Sequence, residues 1–317
     1  MRRRRFIGTC AVALGTVGCR RERPRTIAVI PKGRALLYWQ TVHAGAARAA
    51  KEAGVEILWK ATEHETDYAG QVQIVEAMIN RQVAAIVLAP LDKVVLAKPV
   101  ERAMRRGVPV IVMDSPVDTE MYVSCVSTDN YGAGRLAAER MGAILKGQGK
   151  VAMVMCQPGS ASTMAREDGF TEAISEKFPR VEIVDRRYGM ADFAKSLAVA
   201  ENMLTAHPAL DAIFASNETG SVGAAQALKS RAGSGKAVKL VGFDCSPALI
   251  EGLKSGLIDS LFVQHPFKMG YEAVMSAVKK LRGESMAKIN ELAARMVTRD
   301  NLDDPEVQAQ LNPELKF

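Results

Sequence analysis

From Thr26 onward the chain alternates between short runs of β-branched residues and longer runs rich in alanine. That alternation limits the possible folds more than any other feature. The strand-like runs are "TIAVI" (26–30), "VEILWK" (55–60), "AAIVLAP" (84–90), "PVIVMD" (109–114), "KVAMVM" (150–155), "VEIVDR" (181–186), "AIFAS" (212–216), "KLVGFD" (239–244) and "SLFVQ" (260–264). Helical stretches fill the gaps at 40–53, 69–81, 93–106, 131–146, 165–177, 193–206, 219–231, 247–255 and 267–282. Strict β/α alternation predicts parallel sheets covered by helices on both faces. Strand runs that are apolar at nearly every position fit burial on both faces. The tail from Met296 reads as one last short strand and a proline-punctuated finish.

The pattern also repeats. "AAIVLAPLDKVV" followed by "GVPVIVMDSP" is echoed by "DAIFASNETGSV" followed by "AVKLVGFDCSP". The offsets agree: Gly45 to Gly169 is 124 residues, Val55 to Val181 is 126 and Asp114 to Asp244 is 130. Two similar α/β lobes account for this more simply than one large sheet, and 317 residues suffice for two cores.

The first 25 residues differ in character. "MRRRRFIGTCAVALGTVGC" has a basic start, an apolar stretch from Phe6 to Gly18 and a small residue before Cys19. The apolar stretch is shorter than the roughly 20 residues a membrane-spanning helix needs, and it fits an export signal over 1–19. Arg3-Arg4-Arg5-Phe6-Ile7 resembles a twin-arginine motif, and "TVGC" resembles a lipobox that would lipidate Cys19, with 20–25 as a tether. Thr16 departs from the leucine usual in such a box. The charge belongs to the same region. Of 42 basic and 35 acidic residues, eight arginines and one acid fall within the first 25, leaving 34 of each sign. A formally neutral body lacks the basic stripe expected of a nucleic-acid binder.

Catalytic and metal signatures are missing from the sequence. Cys125, Cys156 and Cys245, outside the leader, are odd in number and read as small apolar residues rather than a disulfide framework. His43, His64, His207 and His265 are scattered, no His/Cys cluster has zinc spacing, and no cofactor is implied. Neither a G-x-S-x-G elbow nor a phosphate-binding glycine loop occurs, and "GSGK" (233–236) reads as a turn.

Parallel α/β sheets bind ligands beyond the carboxyl ends of their strands. The residues there include Tyr38, Trp39 and Gln40, then Ala89 to Asp92, then Asp114 and Ser115. The second lobe contributes Ser160, Ser162 and Arg166, then Asn217 and Glu218, then Asp244 and Gln264. Two aromatic faces, two carboxylates, a guanidinium and several amides suit a sugar. Its C–H faces pack on rings and its hydroxyls both donate and accept. Plainer roles exist for each. Asp114 and Asp244 would serve as helix caps, Tyr38 and Trp39 as an apolar plug, and Arg166 as a bridge to a neighbouring carboxylate.

The stretches "YWQTVHAGAARAA", "VSTDNYGAGRLAAERM", "SASTMAREDGF", "NMLTAHPALDAIFASNE", "KLVGFDCSP" and "VQHPFKMGYEAV" together resemble the ribose-binding-protein-like periplasmic solute-binding proteins of ABC-type sugar transport. The resemblance runs from Thr26 to Arg299. It implies two lobes, 26–127 with 265–294 and 128–264 with 295–317, joined by a three-segment hinge with crossovers near 127–130, 245–247 and 264–266. It implies a stacking pair, Tyr38 and Trp39, with polar ligands Asp114, Ser115, Arg166, Asn217, Asp244 and Gln264. Ala89 and Ser115 stand where the ribose-type pattern has asparagine and arginine, which argues against ribose itself. The implied protein is a monomeric, non-enzymatic, lipid-anchored periplasmic binder that delivers a monosaccharide to an ABC permease and closes by a hinge motion. A ligand-presenting sensor for a membrane receptor and an exported glycosidase using Asp114 and Asp244 are the alternatives. Lactose-repressor-type regulators share the fold but need a helix-turn-helix where this chain has its signal.

Overall fold

A computed structural model describes residues 26–231 and 237–312; the export signal, Cys19, the tether and "GSGK" lie outside the described residues. The first half runs β1 (Thr26–Ile30), α1 (Leu37–Ala53), β2 (Glu56–Trp59), α2 (Tyr68–Asn80), β3 (Ala85–Leu88), α3 (Ala97–Arg105), β4 (Val110–Asp114) and β5 (Ser124–Thr128). The second runs α4 (Asn130–Ile144), β6 (Gln148–Met155), α5 (Ala161–Lys177), β7 (Arg180–Tyr188), α6 (Phe193–Ala206), β8 (Ala212–Ala215), α7 (Glu218–Ser230), β9 (Lys239–Phe243), α8 (Pro247–Lys254) and β10 (Ser260–Val263). Then come α9 (Pro266–Arg282), β11 (Ile289–Leu292), β12 (Arg295–Thr298) and α10 (Pro305–Leu311).

Two six-stranded sheets result, ordered β11-β5-β4-β3-β1-β2 and β12-β10-β9-β8-β6-β7. The orders match position for position. The first sheet is parallel throughout, and in the second β12 pairs antiparallel with β10. Each sheet carries an apolar cluster on each face, as buried parallel strands require.

The chain passes between sheets at three places: β5 to α4, β10 to α9, and β11 to β12. The expected crossover at 245–247 is therefore corrected. That segment stays within the second half, where Ser246 caps α8 by accepting the Leu249 N–H and Pro247 opens the helix. A serine before a proline marks a helix start as readily as a boundary. Two strands, β5 and β11, were absent from the sequence reading, and both lie at one edge of the first sheet.

The helix pairs α1–α9 and α4–α5 pack at very close range. A Cβ on Gly45 would collide with the Phe267 carbonyl, and one on Gly270 with the Val42 carbonyl. In the second half, Gly134 meets the Arg166 carbonyl and Gly169 the Tyr131 carbonyl in the same way. The repeat read from Gly45 and Gly169 is thus a repeated glycine-to-backbone helix crossing. It sets how far each helix reaches toward the cleft between the sheets.

Candidate functional site

Helix starts decide what faces the cleft. The first helix begins at Leu37 rather than 40, so Tyr38 and Trp39 sit in its first turn rather than in a loop. Likewise α5 begins at Ala161, which places Ser162 and Arg166 on the helix. A cavity with about 390 Å³ of space outside the atoms, its open side included, lies between the two sheets' carboxyl ends. Its wall includes Tyr38, Trp39, Asp114, Arg166, Asn217, Asp244 and Gln264. Seven of the eight expected site residues thus meet around one space.

Ser115 is the exception. It is fully buried, is not part of that wall, and its Oγ accepts the Ser162 N–H at 3.0 Å. It ties one half of the molecule to the other.

The two aspartates occupy equivalent places. Asp114 ends β4 and Asp244 follows β9, and both adopt left-handed backbone conformations, with φ of 66° and 67°. Non-glycine residues rarely hold that conformation without surrounding structure that demands it. Neither caps a helix. Asp114 accepts the Tyr38 hydroxyl at 2.7 Å and pairs with Lys32 Nζ at 2.8 Å. Asp244 accepts the Gln264 amide at 2.7 Å. Burial pushes the Asp244 carboxyl above the usual range, opposed by the nearby Arg166 and the Gln264 hydrogen bond.

The aromatic pair is both plug and cavity wall. Tyr38 and Trp39 meet edge to face at 4.9 Å and belong to the first lobe's core, while both also face the cleft. Each polar tip is used: the Trp39 indole N–H donates to Glu65 at 2.7 Å. Burial pushes the Tyr38 phenol up, reinforced by Asp114 and Asp244.

Arg166 does not bridge to a carboxylate. Its Nε donates to Asn130 Oδ1 at 2.8 Å, its Nη1 donates to the Ser216 carbonyl at 2.9 Å, and its guanidinium lies 4.5 Å over the Phe243 ring. Such stacking fixes a planar cation. Asn217 caps α7 through the Gly220 N–H at 3.1 Å while lining the cavity.

Three charged wall residues lie outside the expected set: Lys32, Glu65 and Glu218. Lys32 is only 3% exposed, and its Nζ donates to Ser160 and Ser162 Oγ, each at 3.1 Å, across the cleft. Burial raises the Glu65 carboxyl, with Lys32 and the Trp39 bond opposing. Burial and Asp244 push Glu218 up to about 8. Lys32, two residues past β1, and Glu218, next to Asn217 after β8, both stand at strand ends; Glu65 carries no signal that separates it from surface residues.

Behind the cavity the crossovers are tied together. Thr128 Oγ1 donates to Gln264 Oε1 at 2.8 Å, and the Asp129 N–H to the Leu292 carbonyl at 3.0 Å. Gln310 on α10 donates to the Val263 and Gln264 carbonyls at 3.0 and 2.8 Å. Among the described residues no cluster of His, Cys, Asp and Glu is arranged to hold a metal, and Cys125, Cys156 and Cys245 are unpaired.

Residues 27–285 match the family model of the periplasmic binding protein domain. The chain belongs to the periplasmic binding protein family. This family member is 31% identical over 272 residues to a D-ribose/D-allose-binding protein of Pseudomonas aeruginosa, covering 83% of this chain and 84% of that one. It is also 31% identical to the D-allose-binding periplasmic protein of Escherichia coli, covering 77% and 80%. Among solved structures, it is similar to a carbohydrate transporter solute binding protein from Agrobacterium radiobacter in complex with D-arabinose, with a TM-score of 0.89, 34% identity and coverage of 92% and 100%. An ABC transporter solute binding protein from Agrobacterium vitis with bound D-fucose gives 0.87, 32% and coverage of 90% and 99%. The two matched α/β sheets and their helices are those of this periplasmic binding protein fold.

Proposed function

We propose that this protein is the substrate-binding component of an ABC-type sugar import system. It holds a monosaccharide or related polyhydroxylated molecule between its lobes and transfers it to an inner-membrane permease. One observation carries the reading: one cavity between the sheets draws aromatic faces, carboxylates, a guanidinium and amides from both halves. Sugar-bound relatives at similar size and topology support it. The lobes, 26–127 with 265–294 and 128–264 with 295–317, move as units about the three crossovers. A ligand gripped from both sides favours the closed arrangement by its difference in affinity for the two.

The cavity-lining residues Tyr38, Trp39, Asp114, Arg166, Asn217, Asp244 and Gln264 are the proposed ligand contacts. Asp114 and Asp244 already have fixed partners in Lys32, Tyr38 and Gln264, which suits acceptors for sugar hydroxyls better than a hydrolytic acid and base. The protein acts in the periplasm as a monomer tethered through lipidated Cys19. Among the described residues no helix is long and apolar enough to cross a membrane.

Thermal unfolding against a panel of pentoses, hexoses, 6-deoxy sugars and polyols tests the reading. At a hundredfold excess over Kd, a true ligand stabilises by about 2.7 kcal/mol and shifts Tm by a few degrees. Asp244→Ala is expected to abolish that shift. A full shift in the variant removes Asp244 from the site, and no shift with any sugar in wild-type protein defeats the reading.

A further inference from the structure

Helix α1 starts without a cap of its own. Its Ncap residue, Leu36, makes no side-chain bond, and its first turn contains no acid. The leading N–H groups of a helix need acceptors, usually a side chain that bonds the second or third helical N–H. Tyr38 is the second helical residue, and its N–H favours the ionised form of the Glu218 carboxyl. Glu218 opens α7 in the other half of the molecule and shares the cavity wall with Tyr38. Glu218 is 7% exposed, its Oε2 is buried without a partner, and it lines the cavity. An orphaned, buried carboxyl oxygen on the wall of a cavity points to a ligand group.

We propose that Glu218 is a further specificity-determining residue, its buried carboxyl hydrogen-bonding an oxygen of the bound sugar from the wall opposite the start of α1. This deepens the sugar-binding reading and rests on it. The groups facing Glu218 explain which form it takes. Asp244 after β9 and Glu65 between β2 and α2 both oppose its ionisation, and only the Tyr38 N–H favours it. The cavity's cations are engaged elsewhere, Lys32 with Asp114 and Arg166 with Asn130 and Ser216. In the closed form Glu218 is therefore a neutral acid, and its hydroxyl donates to the ligand.

A carboxyl whose value rises from 4.5 when exposed to about 8 when enclosed takes up a proton as the cleft shuts. The contribution to affinity is complete below the open-form value and is lost as pH rises through the closed-form value. Asp244 and Glu65 shift in the same direction, so removing Glu218 reduces the proton uptake without abolishing it.

The test is calorimetric titration of the tightest sugar from the panel, and of its monodeoxy analogues, into wild type, Glu218→Gln and Glu218→Ala. Glutamine reproduces the neutral acid's donor for the sugar without its proton uptake. It is expected to bind within about threefold of wild type near pH 5 and more tightly than wild type at neutral pH, because the loss of affinity between about pH 5 and about pH 8 is flatter. Alanine is expected to weaken binding about tenfold or more near pH 5 and to lose the wild type's discrimination against one deoxy analogue. A purely structural role would weaken all analogues alike. Circular dichroism and unfolding scans verify that each variant folds. Wild-type affinity and discrimination in Glu218→Ala, or a pH profile unchanged in Glu218→Gln, overturns the proposal while leaving sugar binding intact. A wild-type protein that binds no sugar instead overturns the underlying reading and this contact with it.

Discussion

Lys32 governs the cavity's charge balance from one end of β1. It is the cation that pairs with Asp114 at 2.8 Å and also reaches Ser160 and Ser162 on the opposite side. Removing one partner of a buried ion pair costs about 3–5 kcal/mol when the remaining charge must stay dry. Here the molecule has an escape, because opening the cleft lets water reach Asp114. The cost of Lys32→Met should therefore appear in ligand affinity more than in folding. Calorimetry is expected to show binding weaker by about a hundredfold or more, with the ligand-free Tm moved by only a few degrees. A variant with wild-type affinity would show that the pair contributes nothing to closure. The rule that ligands sit beyond strand ends reached Asp114, Asp244 and Gln264 from sequence. It applies equally to Lys32, two residues past β1, whose single charge does not by itself mark a cavity wall. Glu65 follows β2, and nothing local separates it from the nearby Glu63. The partners of Glu65 are distant in sequence: the Trp39 indole N–H donates to its carboxyl, and Gln157 donates to its carbonyl at 3.0 Å.

At the scale of elements, the two glycine crossings position the helices that carry cleft residues. Gly270 sits in α9 against the Val42 carbonyl of α1, whose first turn holds Tyr38 and Trp39. Two effects compete in Gly270→Ala. Alanine gains about 1 kcal/mol of helix propensity over glycine. Against that, the new Cβ meets main chain, which cannot rotate aside, and forced overpacking costs about 1–3 kcal/mol or more. The collision is expected to win, giving net destabilisation of about 1–2 kcal/mol in urea unfolding, with weaker ligand binding as α1 tilts. A neutral or stabilised variant would mean that the helices slide apart freely. These crossings were visible as a spacing between Gly45 and Gly169, although not as contacts. The strands β5 and β11 were not visible. "SCVST" and "INEL" are short and half polar; β5 lies between β4 and β11, and β11 has only β5 as its neighbour, more than 160 positions away, with Cys125 opposite Ile289. Local pattern cannot supply that partner. The antiparallel pairing of β12 with β10 has no local signature either, although the expected bounds already gave 295–317 to the second lobe; it is the crossover expected near 245–247 that the structure displaces.

The whole molecule is held shut by direct bonds between its halves. The Lys93 N–H donates to the Gly159 carbonyl at 2.9 Å, beside the Ser162-to-Ser115 and Lys32-to-serine bonds. Gly159 has φ of 84°, and a Cβ there would strike the Asp92 carboxylate from the other half. That carboxylate has little freedom to yield, because Oδ1 accepts the N–H groups of Val94 and Val95, both at 2.8 Å. Gly159→Ala therefore has two effects of different reach. The left-handed backbone costs about 1 kcal/mol whether the cleft is open or closed. The collision exists only when the lobes meet. Gly256 isolates the first effect: its φ is 78° and a Cβ there meets nothing. Gly256→Ala should lower Tm slightly and leave ligand affinity unchanged. Gly159→Ala should lower Tm by a similar amount, weaken sugar binding about tenfold or more, and reduce the ligand-induced contraction seen by small-angle scattering. Equal affinities in the two variants would place the Asp92–Gly159 contact outside the closing motion, and closure would then have to rest on the serine and lysine bonds deeper in the cleft.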